Sequence, residues 1–268
     1  MEFIRPRTLD DALSALADVP GAEPLAGGTD LMVEVNLAHH RPDAVIGLRG
    51  VAELQEITDG SIGSGVTWRT LESSPHRALA QLARTIGSLQ IRAAGTLGGN
   101  IGTASPAGDG LPWLAAKDAG IQVASQARGR RLVPWHEFFT GVKQTSLADD
   151  ELVVAAVLPE SPPQHQEFGK IGIRSAMVIS TVAVVVTTDN SRGVKVALAS
   201  VAPTPIRARA AEQMISGEAD PTEAALLEFS RLVSEEVRPI TDHRSTEEYR
   251  RYASGVLARR LLERCLAA

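Results

Sequence analysis

Two glycine-rich segments in the first half of the chain combine bare backbone with uncharged polar side chains. The first is AGGTDL, residues 26–31, and the second is TLGGNIGTASPAGD, residues 96–109. Glycine lets the backbone approach a ligand closely and turn several N–H groups toward it, while Thr, Ser and Asn add neutral donors. This composition suits the oxygen atoms of a diphosphate group.

The residues alone leave two interpretations of these segments open. Neither segment matches the GxGxxG pattern of dinucleotide-binding folds or the GxxxxGK[ST] pattern of P-loops. The sequence therefore lacks the motifs that would support a dinucleotide-dependent dehydrogenase or a kinase. A single Gly-Gly pair is more often a turn that needs a positive φ. Two polar Gly-Gly segments in one half of the chain favour a phosphate ligand without excluding a pair of turns.

The hydrophobic pattern predicts the elements that hold the two segments. The first follows a short strand and leads into a helix that Thr29 or Asp30 caps, all within residues 23–36. The dipole of that helix would favour an anion at its N-terminus. The second is predicted as a loop that precedes an apolar helical pattern. Other predicted elements are helices over 8–19 and 76–87, a strand pair over 121–135 and a buried strand over 149–159.

A proline-rich stretch, PESPPQHQE at residues 159–167, predicts a boundary between two domains, 1–160 and 166–268. Strands followed by helices predict an α+β C-terminal domain with its helices on one face of a mainly antiparallel sheet. The predicted elements are strands in 168–174, 178–188 and 193–201, followed by helices over 206–216, 221–236 and 245–265.

The composition of the 268 residues excludes several classes of function. The formal net charge of −5 gives nucleic-acid binding little electrostatic support. One cysteine, Cys265, and six histidines without HxH or HExxH spacing argue against metal chemistry within this chain, and no residue is predicted to ligate a metal. The most apolar run, residues 178–186, is too short to span a bilayer. No signal-peptide core is expected at the N-terminus, so a cytoplasmic location is predicted.

Three stretches together resemble a known family. PLAGGTDLMVEV, SLQIRAAGTLGGNIGTASPAGDGLPWLAA and FGKIGIR are similar to the FAD-binding medium subunit of the molybdenum hydroxylases, which include xanthine dehydrogenase and carbon monoxide dehydrogenase. The resemblance covers nearly the whole chain. It implies an α+β fold, in which a two-part FAD-binding domain of the VAO/PCMH-like type precedes a smaller α+β domain with an antiparallel sheet and helices on one face.

The resemblance implies a role for each matching residue. Both segments would hold the diphosphate and sugar chain of FAD, and Asp109 would accept hydrogen bonds from ribose or ribityl hydroxyls. Lys170 would stabilise negative charge on the flavin ring, unless it is a solvated strand lysine; Leu31 and Ile101 would pack near the ring, unless they are plain core. The residues carried over are Ala26, Gly27, Gly28, Thr29, Asp30, Leu31, Thr96, Gly98, Gly99, Asn100, Ile101, Ser105, Asp109 and Lys170.

The function implied by the resemblance is electron transfer within a larger oxidoreductase. FAD would be bound noncovalently, with the [2Fe-2S] clusters in a small subunit and the molybdopterin in a large subunit of a dimer of heterotrimers. Electrons would pass from the clusters through FAD to an external acceptor, and this chain would hold no catalytic residue. The alternatives are a stand-alone VAO-like flavin oxidoreductase and a nucleotide-binding module without redox activity.

Overall fold

The computed structural model describes residues 1–159 and 163–268. Part of the predicted domain boundary, including residue 160, therefore lies outside the described residues.

The chain begins with a three-stranded sheet that is wholly parallel. Its elements are β1 (Glu2–Ile4), α1 (Leu9–Asp18), β2 (Ala22–Leu25), α2 (Leu31–Asn36) and β3 (Ala44–Gly47), followed by 3-10 turns at Leu48–Gly50 and Ala52–Gln55. Strand β3 lies in the middle, with β1 and β2 on either side. Helix α1, which confirms the helix predicted over 8–19, begins after Thr8, because the Thr8 hydroxyl accepts from the Asp11 amide while the Asp11 carboxylate accepts from the Thr8 amide.

A five-stranded antiparallel sheet forms the second part of the N-terminal unit. Its elements and the helices around it are β4 (Ile57–Thr58), β5 (Ser61–Gly63), α3 (Trp68–Leu71), α4 (Arg77–Thr85), α5 (Leu89–Ala94), α6 (Leu97–Thr103), α7 (Leu111–Ala116), β6 (Gly120–Ser125), β7 (Gly129–Pro134), α8 (Trp135–Phe138), β8 (Phe139–Gly141), β9 (Gln144–Thr145) and β10 (Leu152–Val157). The strand order of the five-stranded sheet is β4-β5-β10-β6-β7, and β8 and β9 pair with each other in a separate two-stranded sheet. The predicted buried strand is confirmed as β10, the predicted strand pair as β6 and β7, and the helix over 76–87 as α4.

The C-terminal unit is a four-stranded antiparallel sheet followed by three helices. Its elements are β11 (His165–Ile171), β12 (Val182–Thr188), β13 (Val194–Ala199), β14 (Ile206–Arg207), α9 (Arg209–Ile215), α10 (Glu223–Glu236) and α11 (Glu247–Leu266). The strands follow one another in the order β11-β12-β13-β14. The predicted α+β arrangement is confirmed. One detail differs, because the helical pattern predicted over 206–216 opens with the short strand β14.

Both faces of this sheet are buried, and alternate residues of β12 face different cores. Val182, Val184 and Val186 belong to the core beneath α9, α10 and α11. Ala183 and Val185 belong to the core of the N-terminal unit, from which α4 packs on β11 and α7 packs on β12 and β13. The two units therefore share a sheet face, and side chains on that face lie close to the second glycine segment.

Candidate functional site

The second glycine segment begins as a helix, which corrects the predicted loop. Thr96 is the N-cap of α6, and its hydroxyl accepts from the Gly99 amide at 3.0 Å. Leu97 and Ile101, four residues apart, are both fully buried and fix one face of this helix in the core. The cap and the buried pair outweigh the low helix propensity of the glycines.

Gly98 is required by the packing of α6 itself. A Cβ atom at this position would lie 2.4 Å from the Ser64 Cβ atom and 2.7 Å from the Ser64 carbonyl oxygen. The Gly98 amide donates to that carbonyl oxygen at 2.8 Å. The close approach predicted for Gly98 is therefore made to the chain's own backbone.

Gly99 and Gly102 leave open space beside α6. A Cβ atom at Gly99 would meet only the Thr96 hydroxyl, at 3.3 Å, and one at Gly102 would meet no atom within 4 Å. Backbone is thus accessible on this side of the helix.

The first glycine segment packs directly against the residues that precede α6. A Cβ atom at Gly27 would lie 2.0 Å from the Ala94 carbonyl oxygen. Gly28 has a φ of 68°, in the left-handed region that favours glycine. The Asp30 carboxylate accepts from the Thr103 hydroxyl at 3.1 Å, which connects the two segments. The structure therefore brings the two segments together as predicted.

The predicted side-chain cap of α2 is wrong. Asp30 occupies the N-cap position, but its carboxylate makes no capping hydrogen bond, because it is bonded to Thr103 instead. The amides of Gly27, Gly28, Thr29 and Asp30 donate to no acceptor within the part of the chain that the structure describes. Four successive donors are left for a ligand at the first segment.

The first turn of α6 differs from the first glycine segment, because its amides already donate hydrogen bonds within the chain. The amides of Leu97, Gly98 and Gly99 donate to Val66, Ser64 and Thr96, respectively. The two segments therefore differ. The first has backbone amides without an acceptor within the described residues, whereas the second packs against the core and offers polar side chains to a ligand.

Asn100 is the polar side chain of the second segment that lacks a partner. Its Oδ1 atom is buried and accepts no hydrogen bond within the described residues. A Cβ atom at Gly110 would lie 2.6 Å from this oxygen, so glycine is needed there to admit the amide. A nearby hydroxyl or amide donor would satisfy the Asn100 oxygen.

Lys170 forms a buried ion pair with Asp109. Its ammonium lies 2.6 Å from Asp109 Oδ2, and it also donates to the carbonyl oxygens of Thr85 at 3.1 Å and Val178 at 3.2 Å. The side chains of Lys170 and Asp109 are 9% and 8% exposed. The alternative of a solvated strand lysine is therefore wrong.

Both carboxylate oxygens of Asp109 are bonded inside the chain. The Ser180 hydroxyl donates to Oδ1, while Lys170 occupies Oδ2. Burial raises the pKa of Asp109 above its usual value, although Lys170 and Ser180 both oppose this shift. Asp109 therefore orients the Lys170 ammonium, and the contact with a sugar chain that the family resemblance implies for Asp109 stays a prediction.

A cavity of about 530 Å³ lies beside Lys170. It is bounded by α4, by β11 and by the segment that follows β11. Its lining includes Gln81, Thr85, Phe168, Lys170, Arg174 and Val178. One positively charged ammonium thus lies at the wall of a cavity large enough for a flat ring system.

The remaining predicted residues lie in different surroundings. Ile101 is fully buried in the core, as the plain alternative predicts, whereas Leu31 is half-buried next to the first segment. Ala26 is half-buried there too. The Ser105 hydroxyl accepts from the Ala107 amide at 3.3 Å and shapes the turn that leads to Asp109.

Two other side chains support this region. Arg92 donates to the carbonyl oxygens of Ile86 and Gly87 and pairs with Glu72 at 2.5 Å, so it braces the loop before α5. Ser180 was missed in the sequence, because a lone hydroxyl in an apolar stretch gives no signal of its distant partner Asp109.

Comparison with known proteins identifies the family. Residues 1–161 match the FAD-binding domain found in molybdopterin dehydrogenases, and residues 170–265 match the C-terminal domain of the CO dehydrogenase flavoprotein. The chain belongs to the molybdopterin dehydrogenase FAD-binding family. Within that family it is of the same type as the FAD-binding medium subunits of the molybdenum hydroxylases, and so it is a component of an oxidoreductase. The resemblance seen in the sequence is thereby confirmed.

Several members of the family match over almost their whole length. The putative xanthine dehydrogenase FAD-binding subunit of Escherichia coli is 34% identical over 283 residues, covering 99% of this chain and 96% of that protein. The carbon monoxide dehydrogenase medium chain of Afipia carboxidovorans is 29% identical over 280 residues, with 99% and 96% covered. A solved carbon monoxide dehydrogenase from Hydrogenophaga pseudoflava superposes with a TM-score of 0.91 at 28% identity, covering 100% of this chain and 97% of that one.

No helix within the described residues combines the length and the apolar character that a membrane crossing requires.

Proposed function

We propose that this chain holds FAD noncovalently, with the diphosphate on the first glycine segment, and passes electrons from the [2Fe-2S] clusters of a partner subunit to an external acceptor. The observation that carries the proposal is the row of four unused amides from Gly27 to Asp30. Successive N–H groups in a glycine turn form a concave binding site for an anion. Four successive amides without an acceptor within the described residues support a ligand over the alternative of two plain turns.

The residues around the two segments fit an extended dinucleotide. Gly99 and Gly102 leave backbone accessible beside α6, and the buried Asn100 Oδ1 atom lacks the donor that a sugar hydroxyl would supply. Thr29, Thr96 and Ser105 add hydroxyl groups along the same path. Ala26, Gly27, Gly28, Asp30 and Leu31 would form the wall on the other side.

Bound FAD would supply a ring that exchanges electrons one or two at a time, which the side chains of this protein do not do. Lys170 keeps a positive charge at the cavity wall and favours negative charge in its neighbourhood. Asp109 and Ser180 hold the ammonium in place. The Lys170 side chain is mostly buried, so water screens its charge little, which strengthens its effect.

The names of relatives support an assembly with partner subunits. Relatives that match almost end to end are named subunits or medium chains of two dehydrogenases and a hydroxylase, which supports a multi-subunit complex over a stand-alone oxidoreductase. We propose an iron–sulfur small subunit and a molybdopterin large subunit as partners in a dimer of heterotrimers. Substrate hydroxylation would take place in the large subunit. The domain limits of 1–160 and 166–268 and the cytoplasmic location remain predictions.

Flavin titration of the purified full-length chain, or of its complex, tests the proposal. FAD should bind with a change in the flavin absorbance and be released intact by heat, and ADP should compete with it. Riboflavin, which lacks the diphosphate, should bind far more weakly. Equal affinity for riboflavin and FAD would contradict the diphosphate assignment. Absence of flavin from both the chain and the native complex would contradict FAD binding and support a non-redox nucleotide module.

A further inference from the structure

A buried arginine on the C-terminal helix lies behind the Lys170–Asp109 pair. Arg250 of α11 is 3% exposed. It donates to the carbonyl oxygens of Thr181 at 2.7 Å and Ser200 at 2.8 Å, and it pairs with Asp242 at 2.7 Å. One guanidinium thus connects α11, the residue before β12, the residue after β13 and the loop before α11.

Asp242 keeps this guanidinium in place. Burial acts to raise the pKa of Asp242, but hydrogen bonds from the Arg244 amide and the Arg250 guanidinium outweigh it and hold the pKa well below its usual value. The carboxylate is therefore charged throughout the physiological range, and it fixes one edge of the Arg250 side chain.

Both carbonyl groups that accept from Arg250 lie next to, or in, a residue that is hydrogen-bonded to the turn of residues 105–109, which ends at Asp109. Thr181 follows Ser180, whose hydroxyl donates to the Asp109 carboxylate. The Ser200 amide donates to the Pro106 carbonyl oxygen at 2.7 Å. Ser200 also has a φ of 67°, a conformation that serine adopts only when its surroundings enforce it.

We propose that Arg250 is a positioning residue for the Lys170 ammonium, although it touches neither Lys170 nor the cavity. By fixing the backbone at Thr181 and Ser200, it holds Ser180 and the 105–109 turn in fixed positions relative to each other. These positions determine where the two carboxylate oxygens of Asp109 lie, and Asp109 in turn orients the Lys170 ammonium. The flavin part of the inference rests on the proposed function, whereas the positioning of the turn does not.

Hydrogen exchange of the full-length chain without added flavin tests the positioning itself. Arg250→Gln should speed exchange in residues 104–110 and 178–182 by about tenfold or more, since these amides depend on local rather than global opening. The strand pair β6–β7 should exchange at the wild-type rate. Arg250→Lys, which keeps the charge and one donor group, should restore part of the protection. Arg259→Gln, on the same helix and paired with Glu223 and Glu263, is the matched control.

A general loss of protection in Arg250→Gln, including β6–β7, would show that Arg250 only holds the fold together and would overturn the proposal. Asp242→Asn provides a second variant, which weakens the hold on Arg250 without removing the guanidinium. It should reproduce the local change in the same two segments. Wild-type exchange in both segments for both variants would also overturn it.

The flavin-loaded protein gives the second measurement. Arg250→Gln should make the flavin midpoint potential more negative than that of wild type and of Arg259→Gln, because a mobile ammonium stabilises negative charge less well. Arg250→Lys should recover part of the shift. A wild-type chain and complex without flavin would contradict the proposed function but leave the exchange result valid. An unchanged potential in a loaded Arg250→Gln protein would overturn the link from Arg250 to Lys170 alone.

Discussion

Lys170 and Asp109 are 61 residues apart in the chain and 2.6 Å apart in space, and their ion pair joins the C-terminal sheet to the turn that follows α6. Lys170 lies on β11 opposite Ala183, on the sheet face that packs against the N-terminal unit. Asp109 belongs to the N-terminal unit. The pair therefore fixes the two units relative to each other at the cavity where the ammonium would act.

Removing the lysine alone should destabilise the protein strongly. Lys170→Met leaves the Asp109 carboxylate buried with only Ser180, and we expect a loss of about 3–5 kcal/mol in the free energy of unfolding at pH 7. The double variant Lys170→Met, Asp109→Asn should recover a large part of that loss, because no uncompensated charge remains. Urea denaturation of both variants measures the difference.

Lys195→Met is the control for this experiment, since Lys195 is paired with Asp118 but is 35% exposed. It should cost less than about 1 kcal/mol, as surface ion pairs do. Equal losses for Lys170→Met and Lys195→Met would contradict a special role for the buried pair.

Substitutions of Gly98 and Gly99, two neighbouring glycines of α6, should affect different properties: stability at Gly98 and FAD binding at Gly99. Gly99→Val should leave the fold almost intact, because its Cβ atom would meet only the Thr96 hydroxyl, yet it should weaken FAD binding about tenfold or more by filling the accessible side of the helix. Gly98→Ala should instead lower the melting temperature, because its Cβ atom would overlap Ser64. Flavin titration and thermal unfolding separate the two effects.

Gly60→Ala provides the neutral comparison, since no atom lies within 4 Å of the Cβ position there. It should match wild type in both measurements. Wild-type FAD affinity in a well-folded Gly99→Val protein would show that the cofactor does not pass beside α6.

The sequence predicted the elements with a strong pattern. The continuous apolar run of β12 and the helical spacing of Leu and Ala in α1 are local signals, and both predicted elements are confirmed. These features depend on neighbours within a few residues, so they are visible in the sequence.

The partners of the site residues could not be predicted in the same way. Gly27 and Gly98 look identical in sequence to Gly99, but the first two face the backbone of Ala94 and Ser64, while a Cβ atom at Gly99 would meet only the Thr96 hydroxyl. Ser180 and Arg250 act on residues far away in the chain. Such pairings depend on how the two units pack, and a single sequence carries no local signal for that.

Lys117 should be a source of instability at neutral pH. It is 2% exposed, and the ion pairs of the described residues include those of Lys143, Lys170 and Lys195 but none of Lys117. Burial and the nearby Lys195 lower the pKa of Lys117 to about 8 from a usual 10.5. Lys117→Met should therefore stabilise the protein by about 1–3 kcal/mol at pH 7, because a buried charge is removed.

The pH dependence checks this explanation. Between pH 8 and 10.5 the unfolded chain keeps the Lys117 proton and the folded chain releases it, so wild-type stability rises with pH relative to the variant. The advantage of Lys117→Met should be complete below pH 8 and shrink toward pH 10.5. Lys143→Met, an exposed lysine, should show no such trend. A constant advantage across this range would assign the gain to packing.

Glu151 should contribute to the acid sensitivity of the N-terminal unit. Arg131 donates to both carboxylate oxygens, at 2.8 Å and 2.6 Å, and the Ala148 amide donates at 2.9 Å. The hydrogen bonds from Arg131, with that of Ala148, lower the pKa of Glu151 to about 2 from a usual 4.5, against the opposing effect of burial. Glu151→Gln should cost about 2 kcal/mol at pH 7, the range for a hydrogen bond to a charged group.

The sign of this effect follows from the lowered pKa. The stabilisation by Glu151 is complete above pH 4.5 and is lost as the pH falls toward 2, because the unfolded chain binds the proton first. Wild type and Glu151→Gln should therefore differ most near neutral pH and converge in acid, as measured by urea denaturation at each pH. Glu137→Gln, at a side chain that is 65% exposed, should follow wild type throughout. A difference between wild type and Glu151→Gln that persists at pH 2 would contradict the ion-pair explanation and point to the shape of the amide instead.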